Sequence, residues 1–378
     1  MSAVSPIEAR KAEALESFRV RGMPHRRFEH WRYSDLRAVL DAGQVAAAGT
    51  AHWQIGEVPD GVEVFDLAKP APPDWVVKNL GNIGNRPTME EASLAFAQGG
   101  AALRVAKDRK IPQILPLTVS STGNLRLLIV LEEGACLTLA ETHAVDAGLL
   151  RNVGVEIALG RGAELTHVRI APNAPKSFTV EHIAVGEARD ARYRAHFANF
   201  GSRLSRTELH LVLREEGAEA HISGVNVLGG ESHADVTTHI EHAAGKTHST
   251  QQFKHVAGGK SRSAYQGKIT VREGANGSDS RQTAKAVLTS TRAEADLKPE
   301  LIIFADDVKC AHGAAVGDLD AESLFYLRSR GIPEREARRL LVRAFLEEAV
   351  AEIGNDELRA AVWRDIEAVL PRALEQAR

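Results

Sequence analysis

Cysteine is nearly absent: among 378 residues only Cys136 and Cys310 occur, 174 positions apart. A pair so few and so distant excludes a disulfide framework and favours a reducing compartment. Net charge is also missing, with 47 Lys plus Arg against 50 Asp plus Glu. That balance leaves no electrostatic footprint for nucleic acid or an anionic membrane, so the partners to expect are proteins. No apolar run approaches the ~18 uncharged residues of a membrane span, and Met1-Ser2-Ala3-Val4 opens no basic-then-apolar leader. The expected location is cytoplasmic. No complete phosphate-binding loop of the G-x-x-x-x-G-K-S/T form occurs, nor a G-x-S-x-G nucleophile elbow, which disfavours a self-contained ATPase or hydrolase.

What is present divides into three zones. Residues 1–102 read as a mixed helical region. Ser5-Pro6-Ile7-Glu8 has the form of a capping box with proline at the first helical position, predicting a helix over 6–21 that stops at Gly22. Thr88-Met89-Glu90-Glu91 reads as a second box, opening a short helix that ends at Gly99-Gly100. Between them Pro70, Pro72 and Pro73 punctuate an irregular stretch.

From residue 103 to 318 short β-rich runs such as 125–131, 153–159 and 209–213 alternate with polar turns, and no helix signal interrupts them. The turns recur. Glu133-Gly134-Ala135, Arg161-Gly162-Ala163, Arg189-Asp190-Ala191, Glu216-Gly217-Ala218, Ala244-Gly245-Lys246 and Glu273-Gly274-Ala275 have central residues spaced by 28, 28, 27, 28 and 29. A solenoid needs a bend at the same place in every coil, with room here for two or more strands per period. A sandwich has no such requirement. The fold class is therefore mainly β, a parallel β-helix.

Residues 319–378 read as a helical domain. Asp320 caps a helix through Ser329, ended by Gly331. Pro333 opens another whose Ala337, Leu340, Leu341, Ala344 and Phe345 share one face, and Asn355 caps a last one with Leu358, Val362, Val369 and Leu374 inward.

Chemistry can sit at Cys310-Ala311-His312. In an extended run residues two apart face the same side, so a thiolate and an imidazole are presented together, a pair suited to a soft metal or an iron–sulfur species. Two ligands are short of the usual three or four, so the rest must come from elsewhere in the chain or from another subunit. Taken alone, such a pair reads as a small buried hydrophobe beside a hydrogen-bonded histidine. Cys136, in an apolar run, reads as packing. Asp306 and Asp307 would face opposite sides of a strand and fit a turn with one capping carboxylate better than an acidic catalytic pair. His233, His239, His242 and His248 read as solvated or core histidines. Arg328, Arg330, Arg335, Arg338, Arg339 and Arg343 are interleaved with Glu334, Glu336, Glu347 and Glu348, a charged helix surface or protein-docking face.

The run Lys298-Pro299-Glu300-Leu301, Asp306-Asp307-Val308-Lys309-Cys310-Ala311-His312-Gly313-Ala314, Gly317, Leu319-Asp320 and Leu324-Phe325-Tyr326-Leu327-Arg328-Ser329-Arg330-Gly331-Ile332 resembles the SufB/SufD family of the SUF iron–sulfur cluster assembly system. His248-Ser249-Thr250-Gln251, Phe253-Lys254 and Gln266-Gly267-Lys268-Ile269 are similar to its core. Gly22-Met23-Pro24 with Glu29-His30-Trp31-Arg32-Tyr33-Ser34-Asp35-Leu36 resembles the opening of the SufD branch. The resemblance implies a right-handed parallel β-helix between helical terminal regions. It implies a non-catalytic scaffold, paired with SufB and docked on the SufC ATPase through its C-terminal helices, with Leu324, Phe325, Tyr326, Arg328 and Arg330 as partner-binding residues. His312, with Cys310 beside it, would help hold a nascent cluster shared with SufB. No cofactor would stay bound to the lone chain, which could pair with itself when isolated. Alanine at 311 and 315 stands where the family often has serine and threonine, and 277–282 matches loosely. A SufB-like homodimeric scaffold and a β-helix carbohydrate-active enzyme are the alternatives.

Overall fold

The computed structural model describes residues 5–47, 49–83, 87–120, 122–144 and 150–375. Strands alternate between two nine-stranded sheets, one running from Trp53–Ile55 to Val308–Asp318 and the other from Val62–Asp66 to Glu294–Ile303. Neighbours are parallel throughout, from Gly100–Val105 beside Gly123–Leu131 to Ser278–Leu288 beside Val308–Asp318. The exceptions are Trp53–Ile55 and Val62–Asp66, which lie antiparallel on the first coil. The chain from Gly100 to Asp318 thus winds as a β-solenoid of about eight turns, each coil giving one strand to each sheet. The expected mainly β fold with helices at both ends is present.

The 28-residue turn series marks the corner between the sheets. Gly134, Gly162, Gly217 and Gly274 take positive φ there (67°, 62°, 75° and 79°), and Asp190 does so at 57°. Asp is among the few side chains that tolerate this region. At Ala244-Gly245-Lys246 the pattern differs: positive φ falls on Lys246, at 54°. Gly245 is needed there for another reason, since a Cβ would approach the Asn276 carbonyl oxygen to 2.6 Å. A second corner in successive coils, at Gly201, Gly230 and Gly259, also has positive φ.

Alternation along each strand fills the lumen. Leu209, Leu211 and Leu213 are buried inside while Glu208, His210 and Val212 face outward. Part of the lumen is polar. Tyr193 Oη and His167 Nδ1 lie 3.0 Å apart, and Glu141 sits 3.0 Å from His167 and 2.6 Å from His143. Burial alone would raise the Glu141 carboxyl, but hydrogen bonds from the two histidines outweigh it and hold it low.

Glu187 has little such help. It is fully buried, with no side-chain partner for either carboxylate oxygen among the described residues. Burial, then the Glu219 charge, push its carboxyl well above the ordinary value, opposed only in part by the Glu219 backbone. A carboxyl raised in the folded state contributes stability that is present below its unfolded pKa and lost as pH rises through the folded pKa. Glu187→Gln is therefore expected to raise the urea unfolding midpoint at pH 8 and change it little at pH 4. An equal rise at both pH values would show that Glu187 is not protonated in the folded protein.

The helices cover the sheets' outer faces. Pro6–Arg21, the turn at Trp31 and Thr88–Phe96 bury Phe18, Trp31 and Met89 with Phe178, Val180 and Leu204 of the second sheet. Neither expected capping box forms. Ser5 makes no side-chain cap bond, and Pro87 rather than Thr88 precedes the second helix, which stops at Phe96. Its acids are used in tertiary contacts instead: Glu90 pairs with Arg126, and Glu91 accepts a hydrogen bond from Ser17 at 2.5 Å.

At the C-terminal end Glu334–Val350 and Asp356–Ala373 pack on the first sheet through Val342, Leu346, Val362 and Ile366 against Val168, Phe200 and Val225. Asp320 and Asn355 cap as expected, accepting from the Ser323 and Leu358 amides at 2.7 and 3.0 Å. The buried face of Glu334–Val350 is rotated from the expected stripe. Leu340 is 40% exposed and Ala344 is exposed, while Val342, Leu346 and Ala349 are buried. The solenoid wall selects that face, and a periodicity rich enough in apolar residues to suit two adjacent faces does not choose between them. Lys254, 2% exposed under this helix, pairs with Glu348 and stacks 4.6 Å from the Phe345 ring. No helix among the described residues is long and apolar enough to cross a membrane.

Candidate functional site at the open end of the solenoid

The two ends of the solenoid differ. At the first coil the parallel strands are covered by the short antiparallel strands Trp53–Ile55 and Val62–Asp66, whereas at the other end the longer parallel strands Glu294–Ile303 and Val308–Asp318 are themselves the edges, each with a neighbour on one side only among the described residues. Both last strands thus present a row of unpaired backbone donors and acceptors, an arrangement proteins normally cap. Apolar side chains cluster at the same end: Phe304 is 60% exposed and Val316 46%, with Ile302 and Ile303 also exposed.

Cys310 and His312 lie on that last strand. Their register partners are Ser280 and Gln282, both buried on the inward face of the preceding strand, so Cys310 and His312 share the inward parity and cover the lumen mouth. Cys310 is half-buried against Ile269, Val271 and Ala275, and His312 is exposed. Burial, then the Asp279 carboxylate, raise the Cys310 thiol, with a backbone hydrogen bond at Ser280 opposing them in part. At neutral pH Cys310 is therefore held as the thiol. Among the described residues no third His, Cys, Asp or Glu joins the pair in a group able to hold a metal.

Beneath the motif lies a network that the sequence did not flag. Gln282 Nε2 donates to Tyr265 Oη at 3.1 Å, Tyr265 donates to Gln251 Oε1 at 3.2 Å, and Thr238 donates to the same oxygen at 2.6 Å. Gln282 Oε1, buried next to the His312 position, has no partner among the described residues. Gly267 leaves room for this network, since a Cβ would fall 2.5 Å from Tyr265 Oη and closer still to Gln282, displacing one or both.

The other expected site residues follow directly. Helix Ala321–Ser329 has no buried residue, with Phe325 73% and Tyr326 57% exposed and Leu324 half-buried. Arg328 pairs with Glu334 at 3.5 Å, and the Arg330 guanidinium lies 5.2 Å from the Tyr326 ring. Arg338 pairs with Glu334 and Arg339 with Glu336, while Arg339 and Arg343 also reach Glu367 on the last helix. Asp306 and Asp307 occupy a bend between the last strands, and their carboxylates cap no backbone donor among the described residues. Cys136 is half-buried. His242 is a core histidine, bonded to Thr247 and Ser249 at 2.7 and 2.9 Å. His239 is different, standing beside His210 and Glu241.

The N-terminal motif reaches the same region. Trp31 is buried with the Arg206 guanidinium 4.2 Å over its ring, Arg206 pairs with Asp235 at 2.7 Å, and Ser34 donates to the same carboxylate at 2.7 Å. Lys298 pairs with Glu29 at 2.5 Å and with Glu300 at 2.7 Å, joining the two ends of the chain's signature runs.

Comparison with known proteins places this geometry. Residues 118–345 match the family model described as "SUF system FeS cluster assembly, SufBD core domain". The chain is 27% identical over 381 residues to the iron–sulfur cluster assembly protein SufD of Escherichia coli, covering 93% of this chain and 90% of that protein. It is 29% identical to a SufBD family protein of Mycobacterium tuberculosis, over 97% of this chain and 94% of the relative. A SufBD family protein of Synechocystis is 32% identical over 240 residues, 60% of this chain and 52% of that relative.

Proposed function

The chain belongs to the SufB/SufD family of the SUF iron–sulfur cluster assembly system, and from that premise we propose that it is the SufD-type scaffold subunit of a SufB–SufC–SufD complex. The observation that carries this reading is the asymmetry of the solenoid. One end is capped from within the chain, while the other leaves two strand edges open with Cys310 and His312 at its mouth. A partner solenoid laid against those edges would satisfy the open ladder and bring the missing ligands to a pair that lacks them. The nascent cluster is then cargo, held between subunits and handed on. His312, exposed at the mouth, would meet the partner's ligands, and Cys310 would flank it. No single-chain turnover is expected, which makes the chain a non-catalytic subunit of a cytoplasmic assembly.

The helix Ala321–Ser329 supports a second contact. It follows the last strand after two residues and projects Phe325 and Tyr326 outward. Leu324, Phe325, Tyr326, Arg328 and Arg330 would dock the SufC ATPase, so that hydrolysis there moves the element adjoining the open edge. Exposed aromatics of this kind seldom stand without a partner.

The test is co-expression of the chain with SufB and SufC. A Val316→Lys variant places a charge on the open edge, the device by which edge strands avoid pairing. It is expected to fold as the parent does but to lose SufB in a pull-down, whereas Phe325→Ala should lose SufC and keep SufB. Retention of SufB at parental levels by Val316→Lys would move the interface away from the solenoid mouth.

A further inference from the structure

The outer face of the second sheet carries another group of ligating side chains. His210 and His239 are register partners on adjacent strands, their rings 4.9 Å apart, and Glu241 lies two residues beyond His239 on the same outward side. One ligand atom from each of the three falls within 4.8 Å of the others. They adjoin a cavity of about 310 Å³ that His210, His239, His182 and Glu208 help to line.

Two features suit this group to an ion rather than to packing. His182 is 2% exposed, and neither of its ring nitrogens has a hydrogen-bond partner among the described residues. A buried imidazole left unsatisfied is costly, and a ligand in the cavity would remove that cost. The ligands are also held by outer partners. His239 Nε2 lies 3.0 Å from Thr270 Oγ1, leaving Nδ1 for an ion, and Arg272 donates to both Glu241 oxygens at 2.8 and 3.1 Å. Such contacts orient metal ligands, and bridging a carboxylate between a cation and a guanidinium keeps it ionised. Opposing the group are the charges of Lys268 and Arg272, which reach His239, and of Arg214, which reaches His210, while Lys298 is neutralised by Glu29 and Glu300.

We propose that His210, His239 and Glu241 bind one divalent transition-metal ion, of the kind that two imidazoles and a carboxylate favour, Zn²⁺ or Fe²⁺, with an open position facing the cavity and His182. An all-oxygen ion such as Ca²⁺ or Mg²⁺ does not match this donor set. The site is separate from Cys310 and His312, being on the outer wall rather than at the mouth, and stands whether or not the chain assembles clusters.

Co²⁺ titrated into the full chain provides the test, because its visible ligand-field bands report nitrogen and oxygen donors. Saturable binding of one ion per chain is expected, weakened about tenfold or more by His239→Ala and by Glu241→Gln. The double variant Cys310→Ala/His312→Ala should leave it unchanged. Glu241→Gln keeps the side-chain volume, so its circular dichroism should match the parent even where His239→Ala loosens the wall. Absence of saturable binding, or parental affinity in both His239→Ala and Glu241→Gln, overturns the assignment, as does loss confined to the Cys310/His312 variant.

Discussion

In the assembled complex, His312→Ala is expected to abolish cluster build-up while leaving the chain as stable as the parent. His312 is exposed on the last strand, so removing its ring opens no cavity and breaks no buried hydrogen bond. Surface changes of that kind cost little stability. Its contribution would be realised only when a partner brings the remaining ligands. Deleting outer partners of metal ligands already costs about ten- to a hundredfold, and loss of a ligand itself should exceed that. Cys310→Ala gives a different pattern. The thiol is half-buried against Ile269, Val271 and Ala275 and is raised by burial and by Asp279, so it acts first as packing. A modest stability loss with a partial cluster defect is expected. Cluster formation is read by absorbance during anaerobic reconstitution of the co-purified complex, and stability by urea unfolding of the lone chain. Parental cluster yield with His312→Ala would remove the site from the solenoid mouth.

The legible part of this fold was its repeat. A bend that must fall at the same position in every coil leaves a periodic trace, and Gly134, Gly162, Asp190, Gly217 and Gly274 supplied it through the positive φ they adopt. Gly201, Gly230 and Gly259 left an equally regular trace at the second corner, which the single series did not use. Parity along an extended strand placed Cys310 and His312 on one side, and the structure keeps them there. Less legible was everything decided between coils. His210 and His239 stand a full coil apart in sequence, and only the strand register makes them neighbours. The rotated face of Glu334–Val350 has a similar origin, since helical periodicity names a stripe but the wall it meets chooses among overlapping stripes. Glu91 read as part of a local capping box because local contacts are all a short motif can express; burial places it against Ser17 and its neighbour Glu90 against Arg126.

That reassignment leads to the largest expected loss of stability. Arg126 is 1% exposed and joins three elements: it donates to Glu90 at 2.9 Å and Ser93 at 2.8 Å on the helix Thr88–Phe96, and pairs with Glu156 on the strand Leu150–Leu159. Glu156 in turn accepts from the Gly81 amide at 2.9 and 2.8 Å, tying down the preceding segment. Arg126→Met keeps the bulk of the stem but leaves two carboxylates buried without their cation. Breaking a buried pair in this way costs about 3–5 kcal/mol, mainly through the uncompensated charge that remains. The triple variant Arg126→Met/Glu90→Gln/Glu156→Gln removes that charge and should regain much of the loss, which a simple packing defect would not allow. Gly154→Ala should act through the same group, because its Cβ would fall 2.0 Å from the Arg126 Nη1. All three are read from urea midpoints, and a triple variant no more stable than Arg126→Met would show that shape rather than charge governs this junction. Since Arg126 sits in the second coil and His312 in the last, cluster assembly per folded molecule should survive these changes, separating loss of fold from loss of site.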